Sequence, residues 1–238
     1  MPTVKAPAGI YNLRSVQGGG QEGAMMFRPA TLWRSSAMLR PVVDPGRELA
    51  AIGIRTVIDL REEGERAAAP DGEDGAVTWH WVPVFDNRLI SLEWEDLSEL
   101  YGHMLDQFGH QLARAVSLVA GALPEPVLVH CTAGKDRTGM VCALIQETVG
   151  VDRDDILDDY ARSADLLGED YLRDLGALQG EGPLEGMRAH RSVASPRHLM
   201  AHSLEELDRR GGAVRYLLDH GVTPEQVSRL REVLAVAR

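Results

Sequence analysis

Cysteine is scarce in this chain. Two occur in 238 residues, Cys131 and Cys142, eleven positions apart. That pair gives no disulfide framework, so a reducing compartment, the cytoplasm, is expected. No basic, apolar, small-residue leader opens the sequence, and no apolar run reaches the ~18 residues that a membrane-spanning helix needs. A protein with no stable membrane anchor is therefore expected, with export by a route other than a classical signal peptide left open. Positive charge is also short. Lys and Arg number 25 against 36 Asp and Glu, a formal net charge of −11. General nucleic-acid binding, which favours a basic face, is disfavoured. Long-range steering of an anion is disfavoured too, so any anionic substrate must be held by local contacts. Repeats and low-complexity linkers are missing, so residues 1–238 read as one domain. A core covers about 1–150, and a helical extension, about 151–238, packs on it.

What is present is an alternation of strand-like and helix-like segments. Residues 31–34, 56–60, 77–84 and 127–130 read as strands, and 48–52, 91–108 and 111–122 carry helical spacing of apolar residues. The alternation predicts an α/β fold, a mostly parallel central sheet flanked by helices. Ligands in such sheets bind beyond the carboxyl ends of the strands. From about Gly150 the pattern turns helical. Asp152 caps one helix, residues 176–186 read as an exposed loop, and 196–210 and 213–220 read as helices. Thr223-Pro224-Glu225-Gln226 opens a last helix with a capping box and a proline at its first position. A DNA-binding helix-turn-helix in this tail lacks a basic recognition face, so packing on the core is the better reading. The acidic runs around Asp152–Asp155 and Asp158–Asp159 match no calcium loop and read as a solvated helix face, so no metal site is expected.

One run carries chemistry: His130-Cys131-Thr132-Ala133-Gly134-Lys135-Asp136-Arg137-Thr138. It follows an apolar strand and precedes an apolar helix. Curling such a loop aims backbone N–H groups at one point, and a helix N-terminus adds partial positive charge there. A dianionic phosphate fits that nest. A free thiol, with an ordinary pKa of ~8.5, is mostly protonated at neutral pH, and the nest would favour its thiolate. Cys131 can then attack phosphorus and form a phosphocysteine. Arg137 offers a planar fork that holds two phosphate oxygens at once. Thr138 can donate to the sulfur as it leaves, Lys135 places a second positive charge at the pocket mouth, and His130 braces the loop. Thr132, Ala133, Gly134, Lys135, Asp136, Arg137 and Thr138 are thus the expected phosphate-binding set. Cys142, within the following helix, reads as a small core residue rather than a resolving thiol.

The run resembles the signature of cysteine-based protein tyrosine phosphatases. The form HCTAGKDRTG is similar to that of atypical bacterial members, which also act on phosphoserine, phosphothreonine and phosphoinositides. Tyr11-Asn12-Leu13-Arg14-Ser15, Leu32-Trp33-Arg34-Ser35-Ser36, Val57-Ile58-Asp59-Leu60-Arg61 and Tyr160-Ala161-Arg162-Ser163 resemble further family segments, although position 15 is serine where the family often has aspartate. The resemblance implies a phosphatase-type α/β fold, a phosphorylated protein or phosphoinositide substrate, and no cofactor. A phosphate-recognition module without turnover is the alternative of another class, and the presence of Cys131, Arg137 and Thr138 argues against it.

A leaving phenolate needs a proton from a carboxylic acid. Asp86, where the family has an aspartate after a proline-containing strand end, and Asp136, inside the loop, both qualify. Asp59 and Arg34 lie at strand ends that face the loop. Asp59 reads as a buried brace for loop N–H groups or an arginine, and Arg34 as a pocket or supporting residue.

Overall fold

The computed structural model describes residues 6–20, 25–40, 44–71 and 75–237. Its elements run in chain order as β1 (Arg14–Ser15), β2 (Met25–Phe27), β3 (Leu32–Ser35), α1 (Pro45–Ala51), β4 (Thr56–Asp59), α2 (Glu63–Ala68) and β5 (Thr78–Trp81). A short 3-10 turn, Leu89–Ser91, leads to α3 (Leu97–Gln107), α4 (Gly109–Ala122), β6 (Val127–His130) and α5 (Asp136–Val149). The helical part comprises α6 (Arg153–Leu166), α7 (Glu169–Leu178), α8 (Gly186–Val193), α9 (Arg197–Arg209), α10 (Gly212–Asp219) and α11 (Pro224–Leu234), and a strand β7 (Ala235–Ala237) closes it.

Five strands form one sheet in the order β1-β3-β6-β4-β5. β3, β6, β4 and β5 are parallel; only β1 is antiparallel. β6 lies at the centre with Val127, Leu128, Val129 and His130 all buried, as expected for a strand covered on both faces. The register aligns Ser35, His130, Asp59 and Trp81 across the carboxyl edge of the sheet. Every loop that builds the site leaves from that edge.

α5 follows the loop and runs back through the core. Its residues from Met140 to Ile145 are buried without interruption, because the sheet covers one side and the C-terminal helices the other. The main apolar core joins sheet-side residues such as Val129 and Leu144 to Ile156, Met200, Leu204 and Leu230 of the later helices. Burial of each such side chain is worth about 1.5–3 kcal/mol. β2 and β7 pair as an antiparallel ribbon that ties the N-terminal region to the end of α11.

The structure moves several expected boundaries. The helix read over 91–108 begins at Leu97, where Asp96 caps it by accepting from the N–H groups of Ser98 and Glu99. α7 runs to Leu178, into the segment read as a loop. α2 had no apolar periodicity to betray it, since none of its six residues is buried. It proves central to the site.

Candidate active site

The loop is shaped from behind. Asn12 Nδ2 donates to the carbonyls of Ala133 and Gly134 at 3.0 and 3.1 Å. Arg34 donates from Nη2 to the same Gly134 carbonyl at 2.9 Å and to that of Lys135 at 3.3 Å. Asp159 on α6 receives Arg34 at 2.8 Å and Arg14 at 3.2 Å, and Arg14 also bonds Asn12. With the carbonyls drawn backward, the N–H groups of Thr132, Ala133, Gly134 and Lys135 find no acceptor among the described residues. They are left for an anion in front. Gly134 makes the curl feasible. Its φ is +67°, and a Cβ there would stand 2.0 Å from the Ser35 carbonyl oxygen. Cys131, 1% exposed, starts the loop at the end of β6.

Of the two roles open to Arg34, pocket or support, the structure places it in the second. Its guanidinium is buried under the loop, so it supports the loop and does not line the pocket. The segments around Asn12, Arg14 and Arg34, far apart in sequence, share this one task.

Arg137 leaves the first turn of α5. Its Nη1 and Nη2 lie 2.5 and 2.7 Å from the two carboxylate oxygens of Glu65 on α2. The Thr132 hydroxyl also donates to Glu65. These contacts hold the Glu65 carboxyl down at a pKa of about 2 despite its partial desolvation, and the Glu65 charge in turn raises Arg137 above its already high range. Nη1 has a longer contact, 3.5 Å, with the Leu60 carbonyl. The Nε–H and the remaining Nη2–H share one edge of the guanidinium and have no partner among the described residues. That edge has the two parallel donors that a phosphate accepts. Sequence reasoning missed Glu65, because a charged residue on a short polar helix carries no periodic signal; its spacing after Asp59-Leu60-Arg61 was the one available cue.

The two acid candidates are separated by backbone geometry. Asp86 and Asn87 both adopt left-handed backbone, with φ of +51° and +60°. Glu62 pins this turn by accepting from the N–H groups of Phe85 and Asn87 at 3.0 and 2.5 Å. The Asp86 carboxylate is thereby turned onto the first turn of α4, where it meets Gln111 and, at 3.0 Å, His110. Asp136 instead borders a cleft beside Arg137. Its Oδ1 accepts from the Tyr101 hydroxyl at 2.7 Å, and no described residue bonds Oδ2.

Lys135 is a correction. Its ammonium is not at the pocket mouth. It is wholly buried and donates to the carbonyls of Arg191 and Ala194 at 2.9 and 2.7 Å, with Asp136 at 3.5 Å. The C-terminal carbonyls of α8 are a favourable seat for a cation.

His130 and Asp59 brace from the other side. Asp59 accepts from Arg61 N–H and Nε, both at 2.9 Å. His130 Nε2 lies 3.4 Å from Asp71, whose carboxyl is held at a pKa of about 2 by His130 and Arg61. Asp59, Asp71 and His130 come close enough together to suggest a ligand set, but Arg61 already binds both carboxylates. The cluster is an ion network under the loop. Thr138 Oγ1 is buried and has no partner among the described residues, which leaves it available to the sulfur. Cys142 is buried within α5, and burial pushes its thiol up to about 11, as expected of a core residue.

Two clefts open near the loop, and Arg137 lines the smaller. One, of about 260 Å³, is walled by Phe85, Leu89, Trp94, Leu97 and Leu100, with Asp136 and Arg137 in its lining. The other, of about 510 Å³, runs past Thr132 and Glu65. No helix among the described residues is long and apolar enough to cross a membrane.

The model of the "Tyrosine phosphatase family" matches residues 6–236. A tyrosine-protein phosphatase of Nostoc commune is 31% identical, over 88% of this chain and 76% of its own. The triple specificity protein phosphatase PtpB of Mycobacterium tuberculosis is 31% identical, over 97% of this chain and 99% of its own. With that match extending across the loop, its rear braces and the helical tail, the chain belongs to the tyrosine phosphatase family.

Proposed function

We propose that the enzyme hydrolyses phosphotyrosine with Cys131 as nucleophile, Arg137 as the phosphate-holding fork and Asp136 as general acid. The observation that carries this reading is the loop after Cys131, whose carbonyls are tied back by Asn12 and Arg34 while Arg137, held by Glu65 at one end, keeps an edge unpartnered among the described residues. In the first step the Cys131 thiolate attacks phosphorus and the bond to the phenolic oxygen breaks. The proton of Asp136 goes to that oxygen. In the second step water attacks the phosphocysteine, the Asp136 carboxylate takes its proton, and the S–P bond breaks with Thr138 donating to sulfur. Inorganic phosphate leaves.

The apolar walls from Phe85 to Leu100 supply depth and contact area for an aromatic ring, which favours phosphotyrosine over the shorter phosphoserine. A second cation at the pocket mouth would suit a polyphosphorylated ring, and Lys135 does not supply it, since its ammonium is buried on the Arg191 and Ala194 carbonyls. The test compares phosphotyrosine peptides, phosphoserine/threonine peptides and phosphoinositides with the wild type and Cys131→Ser. Hydrolysis highest on phosphotyrosine is expected. Cys131→Ser should lose turnover and keep phosphate binding, since the loop N–H groups and Arg137 remain. Residual turnover in Cys131→Ser would remove the covalent mechanism.

A further inference from the structure

Two buried tyrosines outside the loop stand in line behind the Asp136 carboxylate, Tyr101 bonded to it and Tyr160 bonded to Tyr101. Tyr101, from α3, places its hydroxyl 2.7 Å from Asp136 Oδ1. The same hydroxyl lies 2.7 Å from that of Tyr160, from α6, and the two rings pack edge to face at 6.3 Å. A hydroxyl has one proton to give. The carboxylate is the stronger acceptor, so Tyr101 donates to Asp136 and Tyr160 donates to Tyr101. Both phenols are pushed up by burial and the nearby carboxylate, so both remain donors. Gly139 makes room for this arrangement, since a Cβ there would come 3.1 Å from the Tyr160 ring.

The consequence concerns which oxygen carries a proton. Oδ1 is occupied by Tyr101, with Lys135 at 3.5 Å on the same atom. A proton on Oδ1 would meet a hydroxyl hydrogen and an ammonium. A proton on Oδ2 meets neither, and Asp136 borders the cleft beside Arg137. We propose that Tyr101, backed by Tyr160, is a positioning residue that keeps the Asp136 proton on the free Oδ2 and aims it at the leaving oxygen. This rests on Asp136 being the general acid. The proton passes from Oδ2 to the phenolate as the P–O bond breaks, and Tyr101 keeps its own.

The experiment measures kcat and KM for phosphotyrosine and for a dinitrophenyl phosphate, whose leaving group needs no proton. Asp136→Asn should lose kcat/KM on phosphotyrosine by 100-fold or more and far less on the dinitrophenyl ester, because kcat/KM ends at P–O cleavage and leaves out the phosphocysteine hydrolysis that both substrates share. Tyr101→Phe keeps the ring and removes the hydroxyl. It should lose kcat/KM on phosphotyrosine about tenfold, with kcat/KM on the dinitrophenyl ester little changed. Equal losses on both substrates would make Tyr101 a structural residue and overturn the inference while leaving Asp136 as the acid. If Asp136→Asn itself shows no leaving-group dependence, the acid assignment fails and the inference with it. Should Tyr101→Phe fold poorly by thermal melt, Tyr160→Phe replaces it, because it weakens the Tyr101 bond without touching Asp136. A selective loss of about threefold on phosphotyrosine supports the inference, and none overturns it.

Discussion

Glu65 holds Arg137 end-on, with its two oxygens 2.5 and 2.7 Å from Nη1 and Nη2. The contact fixes the rotation of the guanidinium and leaves its other edge for phosphate. Glu65→Gln keeps the size and loses half of the acceptor pair. Expected is a fall in kcat of about tenfold, equal for phosphotyrosine and for an ester with an acidic leaving group, since the fork serves the phosphoryl group whatever departs. An unchanged or faster Glu65→Gln would mean that the carboxylate competes with phosphate.

The same pair sets a pH dependence of stability. The Glu65 carboxyl titrates at about 2 in the folded chain, below its ordinary 4.5. A depressed folded pKa favours the native state above the unfolded value and stops favouring it as pH falls through the folded one. Wild type should therefore lose on the order of 3 kcal/mol from this group between about pH 4.5 and 2. Urea unfolding across that range should show a shallower loss in Glu65→Gln.

Arg137→Lys tests the fork directly. The charge remains, but one ammonium cannot serve Glu65 and two phosphate oxygens together. If the fork acts chiefly in the transition state, kcat should fall by 100-fold or more while KM rises little. Steady-state kinetics with near-normal kcat would remove that role.

Asp86→Asn separates the two acid candidates. With its carboxylate engaged by His110 and Gln111, the substitution should leave the ratio of phosphotyrosine to dinitrophenyl turnover within about twofold of wild type. A selective loss on phosphotyrosine would return the acid to Asp86.

Gly134→Ala tests the loop's curl. The left-handed φ and the collision with the Ser35 carbonyl together should cost about 3 kcal/mol or uncurl the loop. Phosphate affinity by calorimetry should drop even where the melt shows a folded protein.

Much of the site was legible because its chemistry is local. Cys131 to Thr138 are consecutive, and the flanking strand and helix announce themselves by unbroken apolar runs. The cap at Asp152 and the capping box at Thr223 form as read, since a cap needs only its own next few residues. Helix α2 was illegible for the opposite reason: it buries no side chain and is held by polar contacts from elsewhere.

The side-chain roles of Lys135, Asp86 and Arg34 were decided by partners distant in sequence. A lysine beside a phosphate loop suggests a second phosphate contact until α8 presents two carbonyls from Arg191 and Ala194. An aspartate after a strand end suggests an acid, and only the fold shows that Glu62 pins its turn and that its carboxylate rests on α4. The sequence by itself determined the candidate nucleophile, the candidate fork and the parallel sheet, because residue type, spacing and hydrophobic period are properties of contiguous chain. Only the tertiary structure decided where each charge points, because a buried charge goes to whichever partner satisfies it, and Glu65 and Tyr101 reach the loop, and Asp159 its brace Arg34, from separate helices.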